Sequence, residues 1–135
     1  MNSKKRIILF ATIIFISFIG YGYYLYHKPV SSIANLNPDF SLNADELLDS
    51  YASDEVTANQ KYLDKVIIVS GRVQKIEENK TIFLETSNPL SSIICELEEA
   101  SPEINITPGD AISIKGICTG YLMDVVLNRA IIIKQ

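Results

Sequence analysis

One histidine, two cysteines and no tryptophan are what this 135-residue chain offers for reactive chemistry. The histidine, His27, sits at the end of an apolar run, so neither a Ser-His nor a Cys-His nucleophile can be assembled, and no histidine-based metal site exists. Acidic residues are absent before position 39, and no cysteine comes directly after the apolar run. The missing cysteine excludes a lipid-modified N-terminus. No Gly-Lys-Ser/Thr follows a strand, which excludes a phosphate loop. Carboxylates do come in pairs (Asp54/Glu55, Glu77/Glu78, Glu98/Glu99). Adjacent residues do not face one another on a helix or strand, so these pairs read as solvated charge rather than as general acid and base. No catalytic residue, metal ligand or cofactor site is expected, and the chain does not read as an enzyme.

What is present is unevenly spread. The formal charge is −4, with 12 basic and 16 acidic residues, but Lys4, Lys5, Arg6 and Lys28 flank one apolar stretch. Residues 29–135 keep 8 basic side chains against all 16 acidic ones, or −8. Ile, Leu and Val are too abundant for a disordered acidic tail. From Ile7 to Tyr26 there is no charge. At 1.5 Å per residue this run makes a helix about 30 Å long, the thickness of a bilayer's hydrocarbon core. The basic triplet ahead of it keeps the N-terminus cytoplasmic and sends the rest across, with Tyr21, Tyr23, Tyr24 and Tyr26 at the far interface. Residues 1–28 are therefore expected to be a basic stub and a single-pass signal anchor in the cytoplasmic membrane, with the domain outside. The alternative is a cleaved signal peptide, for which Ser32-Ile33-Ala34 has small residues at the right two positions. Residues 29–42, with two prolines and no apolar period, read as a linker reaching at most about 50 Å.

The folded part is expected over residues 43–135. Asn43 and Glu46 have capping-box spacing ahead of a short helix through Tyr51, and Ser53 is expected to cap a second that opens with Asp54 and Glu55. After Asp64 the period changes. Val66–Ile76, Thr81–Thr86, Ser91–Leu97, Ala111–Cys118 and Val125–Ile133 read as five strands, with Gly71 marking a bulge or bend and a polar connection over Glu98–Thr107. Glu77–Lys80 is a turn, and Asn79-Lys80-Thr81 and Asn105-Ile106-Thr107 match glycosylation sequons. A mainly β, five-stranded OB-type barrel, preceded by one or two short helices and an N-terminal transmembrane helix, satisfies this strand count without long unpaired edges.

The run from Tyr51 through Glu55, Ala58-Asn59 and Tyr62 to Ser70-Gly71-Arg72-Val73 resembles the opening of the tRNA_anti-like group of bacterial OB-fold proteins. Cys95, Pro108-Gly109-Asp110, Lys115-Gly116 and Cys118-Thr119-Gly120 are similar to its later half, so the resemblance covers roughly 43–135. It implies an OB barrel with a helical preface, usually on a membrane anchor or signal, and no particular activity. Asp54, Glu55, Asn59 and Tyr62 form a polar contact surface on one reading. On the other, which needs only local physics, the acids serve a helix N-terminus, Asn59 bonds to backbone, and Tyr62 packs.

Nucleic acid, the ligand that the fold invites, needs basic residues to displace phosphate counterions and aromatics to stack on bases. A charge of −8 and an acidic first hairpin turn disfavour it. The expected function is a membrane-tethered, extracytoplasmic binding or adaptor module whose partner is an envelope protein. The alternative is a small-ligand or glycan-binding module on the barrel face, using the loop Thr119–Asp124. Phe83, Tyr121, Met123 and Asp124 are the candidate binding surface. Cys95 and Cys118 both face the barrel interior by strand parity, and in an exported domain they are expected to form a disulfide. The competing expectation is two buried thiols acting as small hydrophobes.

Overall fold

A computed structural model describes residues 2–27, 32–78, 80–98 and 105–133. Lys28, linker residues 29–31, Asn79 of the first sequon, and 99–104 of the polar connection lie outside the described residues. The chain forms two compact units, Met1–Ser31 and Ser32–Gln135. In the first, α1 (Ser3–Tyr26) takes in the basic triplet as well as the apolar run and buries none of its side chains. It is long and apolar enough to cross a bilayer, as a membrane anchor or a signal sequence is.

The second unit begins eleven residues earlier than the expected domain start at 43, because the supposed linker is folded from Ser32 onward. A 3-10 turn (Ile33–Asn35) opens it, with Ser32 Oγ accepting the backbone N–H of Ala34. Strand β1 (Phe40–Asn43) then pairs parallel with β2 (Val66–Glu77). Asp39 secures the start of that pairing: its backbone N–H donates to Val66 O, and its Oδ2 accepts from Val66 N. A four-residue strand whose partner lies 27 positions away carries no periodic signal of its own. The folded state of 32–42 was therefore invisible to composition.

Helix α2 (Ala44–Ser53) carries the expected capping box, Glu46 N donating to Asn43 Oδ1 at 2.8 Å and Asn43 N to Glu46 Oε2 at 3.0 Å. Ser53 belongs to α2. The cap of α3 (Glu55–Tyr62) is Asp54, which accepts from Thr57 N and Thr57 Oγ1, because a carboxylate suits the positive end of a helix better than a hydroxyl.

The remaining strands are β3 (Thr81–Leu84), β4 (Ile93–Leu97), β5 (Ala111–Tyr121) and β6 (Val125–Ile133). Their order, β2-β3-β4-β6-β5 with β5 returning to β2, closes a five-stranded mixed barrel, parallel only between β4 and β6. That is the expected OB-type architecture. β1 occupies the part of the β2 edge that the short β3 leaves open, since β3 pairs only with Val73–Glu77. The irregularity in β2 falls between Val73 and Lys75 rather than at Gly71. Gly71 serves close approach instead, for a Cβ there would meet Ala44 Cβ at 3.2 Å and Leu84 Cβ at 3.4 Å. Inward residues of all five strands, among them Val69, Leu84, Ile93, Ile114 and Leu127, form one core, which α2 joins with Leu47, Leu48 and Tyr51.

The disulfide is corrected. Cys95 and Cys118 are fully buried, as parity required, but both are free thiols. Leu127 of β6 pairs with each of them and so stands between them. Strands two ladder spacings apart are about 9–10 Å from one another, beyond the roughly 7 Å that a disulfide bridges.

Candidate functional site

Which outer faces of the barrel are open is decided by the segment that precedes β1. Ile33 is fully buried although it lies outside the main core, packed with its turn against β5 and β6. Beside it, Lys115 of β5 is only 8% exposed, and its Nζ donates to Ala34 O at 3.0 Å and Leu36 O at 2.9 Å. Glu98 takes Ser32 Oγ at 3.0 Å and Arg129 Nη2 at 3.4 Å. The 32–36 segment thus straps over β5 and β6. Its clamp, Lys115, was not legible in the sequence, where it reads as an ordinary outward residue of an alternating strand.

A second outer face carries a row set by register: Lys75, Phe83, Ile94 and Val126 are successive ladder partners across β2, β3, β4 and β6. Phe83, Ile94 and Val126 are half-buried. Lys75 Nζ stands 4.0 Å from the centre of the Phe83 ring while pairing with Glu77 Oε1 at 2.6 Å. That cation is therefore already engaged.

At one end of this face, the β3–β4 and β5–β6 loops form a rim. Asp124 joins them, its Oδ1 accepting Ser92 N at 2.6 Å and Ser92 Oγ at 2.9 Å, with Val125 N donating to Ser92 O. The turn between β5 and β6 is shorter than Thr119–Asp124, since β5 runs on to Tyr121. Three apolar side chains project from the rim: Leu90 is 80% exposed, Leu122 94% and Met123 65%. Of the four candidate surface residues, Phe83 lies on the open face and Met123 on the rim. Tyr121 is half-buried and stacked on Tyr51, its ring centroid 5.6 Å away and tilted 26°, and Asp124 pins the loops together, so both act first in packing. Leu90 and Leu122 were missed. Their signal was an apolar residue inside a segment otherwise made of turn formers.

A shallow open groove adjoins the β3–β4 loop, lined by Asp45, Arg72, Glu85 and Ser87 among others. Asp45 Oδ1 accepts the Ser87 N–H, and Arg72 donates to Gly109 O at 2.8 Å.

The residues of the family-like opening are mostly structural. The Asp54 carboxyl is held below its usual value, chiefly by the Thr57 hydroxyl and then by the Thr57 N–H. Tyr62 meets Phe40 edge-on at 5.2 Å, and Asn59 Oδ1 is buried without a hydrogen-bond partner, rather than bonding to backbone. Tyr51 Oη lies 3.3 Å from Cys118 Sγ; burial, then that bond, pushes the phenol well above its ordinary value. Burial alone does the same to the Cys95 thiol. Among the described residues, no group of His, Cys, Asp and Glu is placed to hold a metal ion.

The tRNA_anti-like family model matches residues 1–132, nearly the whole chain rather than 43–135. A solved structure from Klebsiella pneumoniae, titled a "putative nucleic acid-binding lipoprotein", superposes with a TM-score of 0.56 at 12% identity, covering 79% of this chain and 100% of that one. At that identity the likeness establishes the fold alone. Among curated proteins, none matches.

Proposed function

The chain belongs to the tRNA_anti-like family, and we propose that it works as a membrane-tethered binding module outside the cytoplasm, using the open face and rim of its barrel to hold an envelope protein. The observation that carries this reading is the pre-organised rim. Leu90, Leu122 and Met123 are held in solvent by loops that Asp124 locks together, so little ordering cost attaches to burying them against a partner. Exposed apolar groups gathered at one place are a usual mark of a protein contact. Retention of α1 as an anchor is supported by the strap. The small-x-small site Ser32-Ile33-Ala34 is built into the fold, and cleavage after Ala34 would remove the buried Ile33 and one of the two carbonyls that hold Lys115. Among the described residues the arrangement offers no residue set for catalysis, and we read the protein as a binder rather than an enzyme.

The Klebsiella structure's title raises nucleic acid. Charge weighs against carrying that over: Glu77 and Glu96 share the open face, Lys75 is already paired, and residues 29–135 carry −8. Photo-crosslinking from position 122 in cells, with position 49 on the outer side of α2 as control, tests the reading. A discrete protein adduct from 122 alone is expected. Adducts only to nucleic acid, or salt-sensitive binding of single strands by the purified chain, would overturn it, as would a reporter after Gln135 that works only in the cytoplasm.

A further inference from the structure

Resting on the reading of the rim as a protein-binding surface, we propose that its occupant is a short segment that is both apolar and basic, its apolar side chains on Leu90, Leu122 and Met123 and its cations in the groove beside the β3–β4 loop. Two independent features meet there. The knobs are apolar and solvent-exposed. The adjoining groove holds two carboxylates, Asp45 and Glu85, against one guanidinium, Arg72, so its net charge is negative, and Arg72 is turned to Gly109 O. A basic partner gains attraction at the groove, and the −8 of residues 29–135 steers it there from a distance. An acidic partner, or an anionic lipid surface, meets repulsion at the same groove.

The test uses the full chain in phosphatidylcholine nanodiscs, with empty discs as blank, and two labelled seven-residue probes: one alternating Leu with Lys, one alternating Leu with Glu. The Leu/Lys peptide should bind at least tenfold more tightly. Leu90→Ser/Leu122→Ser/Met123→Ser, which alters no charge and only exposed side chains, should weaken that binding at least tenfold. Asp45→Asn/Glu85→Gln keeps the Asp45 acceptor for Ser87 and should weaken it and flatten its salt dependence. Equal binding of both peptides, binding unchanged in the triple variant, or no binding would overturn the proposal. A Leu/Glu peptide that binds through the knobs would leave the protein-binding reading standing and remove only its charge preference. Knob-dependent binding to phosphatidylglycerol vesicles, without peptide binding, would assign the rim to lipid instead.

Discussion

The ammonium of Lys115 lies 3.0 Å from the carbonyl oxygen of Ala34, a residue 81 positions earlier in the chain. A second carbonyl, that of Leu36, sits 2.9 Å away, and the lysine is nearly sealed from water. This contact converts a stretch with the composition of a linker into part of the domain.

Lys115→Met should therefore cost about 2 kcal/mol, since two hydrogen bonds from a charged donor to backbone carbonyls are lost. Ile33→Ala should cost about 2–5 kcal/mol by emptying a fully buried site. Urea unfolding of the full chain measures both. A wild-type midpoint in either variant would mean that the strap is not clamped.

Two free thiols should be counted when the non-reduced protein is alkylated under denaturing conditions and weighed by mass spectrometry. The native protein should label far more slowly, because both sulfurs are fully buried. A mass two hydrogens light, with no alkylation, would restore the disulfide.

Burial raises the proton affinity of the Cys95 thiol and the Tyr51 phenol, so the fold favours their neutral forms. Groups of this sign contribute fully below their ordinary values, 9.0 for the thiol and 10.0 for the phenol, and lose that contribution as pH rises past them. Stability should thus be flat between about pH 7 and 8.5 on account of these two groups and fall from about pH 9 upward. Cys95→Val should soften the fall, and chemical denaturation at pH 7 and pH 10.5 reads it directly.

Gly116 of β5 has no room for a side chain, as a Cβ would lie 3.0 Å from Leu127 Cβ. Gly116→Ala should destabilise by about 1–3 kcal/mol through overpacking. An unchanged thermal midpoint would show that β6 yields more easily than its packing implies.

Asp124→Ala removes both acceptor contacts to Ser92 and should cost about 1.5–3 kcal/mol. The sharper readout is local: amide exchange at Ser92 should accelerate. If Leu122 and Met123 lose probe binding in the same variant, the lock is part of the site.

The membrane-length helix, the capping box on α2 and the five barrel strands were legible because each is written locally, in an uncharged run, a three-residue spacing, or a β-branched segment between turn formers. Inward placement of Cys95 and Cys118 followed from strand parity alone. Their pairing did not, because parity fixes which way a side chain points and not which strand lies between; β6 intervenes, and only closure of the sheet puts it there. The strap, β1 and the Lys115 clamp depend on partners far along the chain, and no local pattern encodes a contact that the barrel must first create. The site divides the same way. Phe83 and Met123 stood out as single residues, but their separation from Tyr121 and Asp124, which the fold spends on packing and loop closure, arose only once two loops met across the barrel's end.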